Sequence, residues 1–528
     1  MKVSLLNEAF PPVIDGTVNV VMNYANYLMR DHGAEVMVGT PRYPGGQYDS
    51  YPYRVVAYPS FDTASVMNGY RTGNPVSGRA IAEMADFEPD IIHAHCPATA
   101  TIMARVLRET TGAPIIFTYH TKYDIDLRRE MKIRAVAEEG IRAMVKNIEA
   151  CDDIWVVSRG AGESLKALGF QGDYRVMSNG VDFARGRVDE EQVKKVTEGY
   201  DLPDGVPVWL YVGRLITYKG LPIILDALKM LADKGKDFRM VFVGKGPDRE
   251  LLESRARELG LMGGEGGPAK CIFTGPVYDR DELRAWNTRA DLFLFPSTFD
   301  TNGLVVREAA ACGLASVLIR DSCAAEGITD DRNGFIIDES AEAMAAFLER
   351  TLGHSGHLHE VGQRAMEEIY LSWKDAVALA YRRYEHILAR KEKGILPRRK
   401  KQASDLLVSM VSRNVEEYEK IRNLGREMMG GFRESAVGML ENFQEETDRS
   451  ELFWNRVAEE MRSEMESVRT GIRNARTRMS DVRAEMKNAV REEIRDAGTA
   501  LSSGYSGLKR AVKKSVDSPA EKPSDEAN

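Results

Sequence analysis

Short apolar runs alternate with amphipathic helical stretches from the first residue to about residue 350. The first run is followed by a glycine-containing turn and then by an amphipathic stretch from Asn19 to Arg30. Strands that alternate with helices in this way predict parallel sheets covered by helices on both faces. The runs of the first half lie at residues 3–6, 35–38, 90–93, 114–117 and 153–157.

The same pattern begins again after a polar, charge-rich stretch at residues 188–205. We therefore predict an α/β fold with two doubly wound domains in series, joined near residues 184–205. Ligands of such folds collect at the carboxyl ends of the strands, so two ligand-binding edges could face each other across a cleft. The runs of the second half lie at residues 208–212, 239–243, 271–273, 291–295 and 315–319.

The chain changes character from about Ser404, where strand patterns end and Glu, Arg, Lys, Met and Ala predominate. Between Met465 and Ala489 the apolar positions advance in alternating steps of three and four residues, the period of a coiled-coil seam. This spacing favours an intermolecular coiled coil over an internal helical hairpin or an amphipathic helix lying on a membrane surface.

Composition excludes some classes of protein and leaves others open. The chain is 43% hydrophobic and 29% charged, and its net charge of −8 gives no reason to expect a nucleic-acid partner. Five single cysteines without a CxxC pair favour buried thiols in a reducing compartment. The N-terminus reads as a first strand, and no window approaches about 18 uninterrupted apolar residues, so we expect a cytoplasmic protein.

The strongest candidate for chemistry follows the apolar run at 291–295 and opens a helix. Asp300 lies in the loop and Glu308 in the first helical turns. Between them, the backbone of Asn302, Gly303 and Leu304 can offer N–H groups at a helix N-terminus, where a diphosphate is favoured. Phosphate repels carboxylates, so sugar and ribose hydroxyls are the expected partners of the two acids.

A second candidate lies where the run at 208–212 ends in Gly213. Arg214 and Lys219 are five residues apart in the loop that follows. An arginine supplies a planar fork and a lysine a point charge, a pair suited to neutralising a leaving diphosphate. Both candidates therefore point to the same kind of ligand.

These motifs, in this order and spacing, resemble the family 4 glycosyltransferases of the GT-B fold over roughly residues 1–390. The turn at 243–247, the strand and turn at 273–277, and the pair Ser372-Trp373 before a last helix match the same family. The resemblance implies two Rossmann-like domains that face a cleft. The run 118–124 is closest to that of the diacylglycerol glucosyltransferases and sulfoquinovosyltransferases.

The resemblance also implies roles for residues of the second half. Arg214 and Lys219 would bind the donor diphosphate, and Glu308 the nucleotide ribose. The Gly303 and Leu304 amides would hold the β-phosphate beside Asn302. Asp300 would contact donor-sugar hydroxyls, but the family usually has glutamate there, which leaves the identity of the sugar open.

Further donor contacts are implied on either side of the cleft. Asp15 and Gly16 occupy the place of the family's glycine-rich loop under the phosphates. His120 would face the donor sugar, with a plain strand-end histidine as the alternative. Gly213 belongs to the cation loop, and the turn containing Val277 would lie beside the base, commonly uracil and sometimes guanine.

Other histidines are assigned no metal. His93 and His95 lie at a strand end without an adjoining acidic ligand, so we interpret them as polar lining of the cleft. His354, His357 and His359 are interpreted as a solvated loop between helices.

The resemblance and the changes of composition together divide the chain into six segments. The resemblance implies a helix that returns to the N-terminal domain, and the basic residues after it form a linker suited either to anionic lipid or to plain solvation. The segments are an acceptor-side Rossmann-like domain at 1–190, a nucleotide-sugar domain at 191–372, the returning helix at 373–390, the linker at 391–403, a helical tail with a coiled-coil segment at 404–514, and a disordered end at 515–528.

The function implied is retaining transfer of a hexosyl group from a nucleoside-diphosphate sugar, with UDP as the expected nucleotide, and without a metal or cofactor. The expected acceptor is a membrane glycerolipid, which would place the enzyme peripherally at the inner face of the membrane. A soluble or polysaccharide acceptor is one alternative. The other is a non-catalytic scaffold with a transferase-like head that forms a homo-oligomer through its tail.

Overall fold

The computed structural model describes residues 1–63, 70–75, 77–124, 128, 134–264 and 268–396. These residues belong to one compact unit that contains two separate parallel sheets. The predicted helical tail at 404–514 and the predicted disordered end at 515–528 lie outside the described residues, as does most of the basic linker.

The N-terminal sheet has seven strands, each paired with its neighbours in parallel. β4 (Ser60–Phe61) and β5 (Thr72–Gly73) form a separate antiparallel pair. The order of the main sheet is β3 (Arg54–Tyr58), β2 (Glu35–Pro41), β1 (Lys2–Leu6), β6 (Ile91–Ala94), β7 (Ile115–Tyr119), β8 (Asp153–Val156) and β9 (Arg175–Val176).

The C-terminal sheet has six strands, also parallel throughout. Its first strand in sequence, β10 (Val208–Val212), lies inside the sheet, as β1 does in the other sheet. Each sheet therefore has a point where the strand order reverses. Folds of this kind bind their ligands at such a point. The order is β12 (Cys271–Gly275), β11 (Arg239–Val243), β10 (Val208–Val212), β13 (Leu292–Phe295), β14 (Ser316–Ile319) and β15 (Phe335–Ile337).

Helices cover both sheets, which confirms the predicted α/β architecture. The N-terminal sheet carries α1 (Gly16–His32), α2 (Gly78–Ala85), α3 (Thr99–Thr111), α4 (Arg134–Glu149) and α5 (Arg159–Ala167). The remaining helices are α6 (Glu190–Thr197), α7 (Leu221–Asp233), α8 (Arg249–Glu258), α9 (Arg280–Arg289), α10 (Leu304–Ala311), α11 (Ala341–Thr351), α12 (Ser355–Glu368) and α13 (Trp373–Glu392).

The fold changes the interpretation of one histidine cluster, His354, His357 and His359. His357 and His359 lie in α12, so the predicted loop is wrong, and the imidazole of His357 is 2.7 Å from a carboxylate oxygen of Asp331. The alternation of polar and apolar residues continues through 355–368 with helical period, and this pattern outweighs the three histidines.

The chain crosses between the sheets twice, and the two crossings lie side by side. Val181 of the first crossing donates its N–H to the carbonyl oxygen of Leu371 in the second, at 2.9 Å. An added Cβ at Gly180 would lie 2.4 Å from the Trp373 nitrogen, so the two segments are in backbone contact. Phe183 is buried in the C-terminal core directly after this point.

Helix α13 returns to the N-terminal sheet and completes its core. Ser372 caps the helix by accepting the N–H of Asp375 at 3.1 Å. The ring of Tyr384 stacks on Trp155 of β8 with centroids 5.5 Å apart, and its hydroxyl is 2.6 Å from Nδ1 of His93. The last helix of the described residues is therefore part of the first domain by packing.

Within the described ranges, no helix combines the length and the apolar character that crossing a bilayer requires.

Candidate active site

The loop that carries the predicted cations is held by close backbone approaches. An added Cβ at Gly244, where φ is +151°, would lie 1.9 Å from the carbonyl oxygen of Gly213. Asp248 accepts hydrogen bonds from the N–H and hydroxyl of Thr217 at 2.8 and 2.5 Å. Leu215 of the same loop is fully buried. The position of the cations is thus fixed by the turn after β11.

The two cations of this loop differ in their surroundings. Lys219 forms an ion pair with Asp300 at 2.9 Å, and Ser297 donates to the other oxygen of the same carboxylate at 2.5 Å. The side chain of Arg214 is exposed and has no hydrogen bond or ion pair to any described residue. The structure therefore brings Lys219 and Asp300 together, and leaves the fork of Arg214 open to an anion.

Helix α10 begins beside this pair. Gly303 is its N-cap with φ of +58°, and an added Cβ would lie 2.9 Å from Cβ of Ala324, so only glycine fits without a shift. No side chain caps the helix, and the N–H groups of Leu304 and Val305 precede the first intrahelical bond, from Val306 to Gly303. This end of the helix can accept an anion.

Asn302 adds a polar group to the same place. Its side-chain oxygen and nitrogen are both buried, and neither has a hydrogen-bond partner among the described residues. A buried primary amide without partners is costly, and a ligand that met either atom would remove that cost.

Glu308 lies one turn further along α10. Nη1 of Arg280 donates to its carboxylate at 3.0 Å, and Nη2 of the same arginine donates to Asp182 at 3.1 Å. Burial raises the pKa of Glu308 to about 7, against the lowering effect of Arg280 and with a smaller raising effect from Asp182. Glu308 therefore changes its charge within the physiological range of pH.

We expect Glu308→Gln to raise the melting temperature above that of the unmodified chain at pH 8, by about 2 °C or more. A carboxyl group whose folded-state pKa is raised contributes stability at low pH and loses it as pH rises through that pKa. The difference should therefore grow from pH 4.5 to about 7. Thermal unfolding across this range measures it, with the exposed Glu339→Gln as control. Equal melting temperatures at pH 8 would contradict the expectation.

His120 directly follows β7 and belongs to the part of the site that the N-terminal domain contributes. Its side chain is buried, and Nε2 is 3.0 Å from Nδ1 of His95. Burial lowers the pKa of His120 to about 3, so the ring is neutral at physiological pH. A neutral imidazole can donate or accept a hydrogen bond but cannot serve as a positive charge.

Asp15 and Gly16 begin α1 at the carboxyl end of β1. One oxygen of Asp15 accepts the N–H of Val18 at 2.7 Å, and the other accepts the hydroxyl of Tyr70 at 2.6 Å. The carboxylate is thus the N-cap of α1. An added Cβ at Gly16 would meet nothing within 4 Å.

Val277 is half-buried in the turn after β12, and packs against the C-terminal core. The neighbouring Tyr278 is 74% exposed, and its hydroxyl accepts a hydrogen bond from Lys245 at 2.8 Å. Since Arg280 follows the turn and reaches Glu308, the turn and Glu308 belong to one region.

Loops from the carboxyl ends of the two sheets meet. The hydroxyl of Thr301 donates to the carbonyl oxygen of His120 at 2.6 Å, which joins the loop before α10 to the end of β7. On another part of this boundary, Glu326 accepts the N–H groups of Arg159 and Gly160 at the start of α5, both at 2.6 Å. No local sequence pattern indicates Glu326, because its partners lie 166 and 167 positions away.

The prediction that His93 and His95 line the cleft is wrong. Both are fully buried, and the imidazole of His93 lies between the hydroxyls of Tyr384 and Thr118, at 2.6 and 2.7 Å. His93 is a core residue because α13, which the strand pattern could not place, covers it, and His95 is buried among the rings of His93, Tyr24 and His120. Among the described residues, no cluster of three or more histidine, cysteine or acidic side chains is arranged to hold a metal ion.

Comparison with known families divides the chain in the same place as the two sheets. Residues 14–185 match Glycosyltransferase Family 4, and residues 193–368 match Glycosyl transferases group 1.

Curated relatives include several enzymes that act on lipids. The chain is 29% identical over 382 residues to sulfoquinovosyl transferase SQD2 of Arabidopsis thaliana, covering 70% of each chain. It is 22% identical to alpha-monoglucosyldiacylglycerol synthase of Acholeplasma laidlawii, over 65% of this chain and 86% of that one. It is also 27% identical to a GDP-mannose-dependent phosphatidylinositol dimannoside mannosyltransferase of Mycobacterium tuberculosis, over 59% and 77%.

Solved structures agree on the architecture. Anabaena HepE in complex with UDP and glucose matches with a TM-score of 0.56 at 17% identity, over 73% of this chain and 99% of that one. Sucrose-phosphate synthase from Thermosynechococcus elongatus matches with a TM-score of 0.58 at 18% identity, over 74% and 99%. At these identities the likeness establishes the fold.

Proposed function

Because the chain is a GT-B glycosyltransferase, built from a Family 4 domain and a group 1 domain, we propose that it glycosylates a membrane glycerolipid. The donor is a nucleoside-diphosphate hexose, with UDP as the nucleotide, and the configuration at the anomeric carbon is retained. The lipid acceptor is supported by relatives whose names specify sulfoquinovosyl transfer and diacylglycerol glycosylation.

The main support for the proposal is that three groups that stabilise negative charge lie together at the carboxyl ends of two strands. Lys219, the open guanidinium of Arg214 and the uncapped start of α10 belong to loops at the carboxyl ends of adjacent strands, β10 and β13. A diphosphate is the ligand that uses all three, because each stabilises negative charge. The paired acids, Asp300 and Glu308, flank the same helix start and suit hydroxyls.

The proposed chemistry needs few participants. The bond from the anomeric carbon to the leaving phosphate breaks, the acceptor oxygen bonds to that carbon, and the acceptor proton passes to the phosphate. Arg214, Lys219 and the amides of Gly303 and Leu304 stabilise the charge of the departing diphosphate. His120, being neutral, is suited to a hydrogen bond with a sugar hydroxyl.

The other proposed contacts follow the same layout. Glu308 accepts hydrogen bonds from the ribose hydroxyls. Asp300 orients Lys219 and contacts the donor sugar. The turn at Val277 lies beside the base. Gly213 allows the cation loop its approach to Gly244. On the opposite domain, Asp15 and Gly16 present the start of α1 toward the phosphates.

The location proposed for the enzyme is the inner face of the cytoplasmic membrane, where a diacylglycerol hydroxyl is reached at the lipid surface. The described part of the chain ends at 396 in a basic segment, with Arg390, Lys391 and Lys393 at the end of α13. Such cations near an anionic surface each contribute on the order of 1 kcal/mol.

The test is a matrix of donors and acceptors with product detection by mass spectrometry. UDP-glucose, UDP-galactose, UDP-sulfoquinovose and GDP-mannose are each offered with diacylglycerol in anionic liposomes, with phosphatidylinositol, and with soluble glucose. We expect a product with diacylglycerol and one UDP-sugar. Transfer only to the soluble sugar would replace the lipid proposal, and absence of both transfer and donor binding would favour the scaffold.

A further inference from the structure

Arg280 makes a contact that none of the proposed roles requires. It is the first residue of α9, where Asp279 caps the helix by accepting the N–H groups of Asp281 and Glu282 at 2.8 and 2.9 Å. From there its two terminal nitrogens reach two different carboxylates, Glu308 at 3.0 Å and Asp182 at 3.1 Å. A guanidinium fork divided between two acids fixes the position of both.

The two acids belong to different parts of the fold. Glu308 lies on α10, in the proposed nucleotide site. Asp182 lies in the first crossing between the sheets, between Val181, which bonds to the second crossing, and Phe183, which is buried in the C-terminal core. The guanidinium carbon of Arg280 also lies 5.8 Å from the centre of the Phe183 ring. Arg280 therefore joins the nucleotide site to the crossing.

Arg280 occupies only one oxygen of Glu308. The hydrogen bond goes to Oε1, and Oε2 has no partner among the described residues. The carboxylate is thus oriented by its arginine and still has an oxygen open to a ligand hydroxyl.

We propose that Arg280 is a positioning residue of the ribose site: it orients the carboxyl group of Glu308 toward the ribose, and it shares its guanidinium between Glu308 and Asp182 of the crossing. This inference rests on the proposed function, in which Glu308 binds the ribose. Arg280 touches no reacting atom, so its effect appears in donor affinity and in the pH at which that affinity develops.

The surroundings of Glu308 set the direction of each effect. Arg280 lowers the pKa of Glu308, and Asp182 raises it. Removing the arginine should therefore shift ionisation to higher pH, and neutralising Asp182 should shift it to lower pH. Other charged or titratable side chains on α9, at the end of α10 and in the crossing include Asp281, Glu282, Arg284, Arg307, Cys312, Arg185 and Arg187.

Binding of UDP-glucose, measured by calorimetry from pH 5.5 to 8.5, distinguishes these directions. Its diphosphate diester has no proton to lose in this range, so the titration reports the protein. In the unmodified chain we expect affinity to rise with pH, with a midpoint near 7, because the ionised Glu308 is the better acceptor of ribose hydroxyls. Glu308→Gln should weaken binding and abolish the pH dependence.

Further variants then show whether Arg280 positions Glu308 or only stabilises the fold. Arg280→Ala should weaken binding about three- to fivefold at pH 7 and move the midpoint to higher pH. Arg280→Lys should recover part of both effects. Asp182→Asn should move the midpoint the other way, to lower pH. Arg289→Ala is the matched control, since its guanidinium on the same helix donates to the carbonyl oxygen of Leu202 and, among the described residues, to no carboxylate.

The possible outcomes test the role of Arg280 and the role of Glu308 separately. Opposite shifts for Arg280→Ala and Asp182→Asn support the inference, and far-ultraviolet circular dichroism confirms that both variants are folded. Shifts in the same direction, or an unmoved midpoint while Glu308→Gln still weakens binding, would overturn the inference alone. Unchanged binding by Glu308→Gln would overturn the proposed ribose role and this inference with it.

Discussion

Lys219→Ala is expected to lower kcat/KM for sugar transfer by about 100- to 1000-fold. The ammonium group lies 2.9 Å from Asp300 in a half-buried position, and Phe295 lies beneath it at 5.9 Å. A fixed cation at the start of α10 stabilises the charge that develops on a departing diphosphate, and water cannot replace it there without reorganising. Initial rates with donor and lipid acceptor give the measurement.

The matched control is Lys229→Ala on α7, where the ammonium group pairs with Asp233 within a surface helix turn. Its kcat/KM should stay within about twofold of the unmodified chain, because exposed pairs of this kind contribute little. Full activity in Lys219→Ala would show that the proposed diphosphate site is misplaced. A large fall in melting temperature would instead indicate that Lys219 stabilises the fold through its ion pair with Asp300.

Gly244→Ala is expected to abolish measurable transfer and to destabilise the C-terminal domain by about 2 kcal/mol or more. The new methyl group would lie 1.9 Å from the carbonyl oxygen of Gly213, a backbone atom that can move only together with its loop. That loop begins with Arg214 and ends with Lys219. The substitution therefore displaces both cations without touching either side chain.

Gly260→Ala is the control that distinguishes displacement of the cation loop from the loss of stability that any side chain causes at a positive φ. Gly260 has φ of +71°, and an added Cβ there would meet nothing within 4 Å. Its variant should lose about 1 kcal/mol of stability and keep its activity. Activity assays and urea unfolding of both variants give the comparison. Equal losses of activity would show that the contact between Gly244 and Gly213 does not position the cations.

The alternation of strands and helices could be predicted because it depends on local composition. Every apolar run used for the prediction lies in a strand or overlaps one, and residues 208–212 coincide with β10. Parallel strands buried on both faces need continuous apolar sequence, so the runs are visible without the fold. The cation loop and the start of α10 could be found for a similar reason, since glycine, charge and a following helix lie within a few residues.

The rest depends on contacts between distant parts of the chain. Arg280 is 98 positions from Asp182 and 28 from Glu308, and no local pattern distinguishes it from other arginines in the first turn of a helix. His93 looked like cleft lining because its partner, Tyr384, is 291 positions away. Burial of a polar side chain is decided by the element that covers it. The family resemblance implied that a helix at 373–390 returns to the N-terminal domain, but no sequence pattern showed that it covers His93.

The position of α13 also has a consequence for how the protein is made. During translation the first sheet leaves the ribosome early, but the helix that covers Trp155 and His93 is synthesised more than 200 residues later. Until residues 373–387 emerge, that apolar surface has no cover from its own chain. The domain that is synthesised first is therefore completed last, and a nascent chain stalled before Trp373 would present chaperones with an unfinished core.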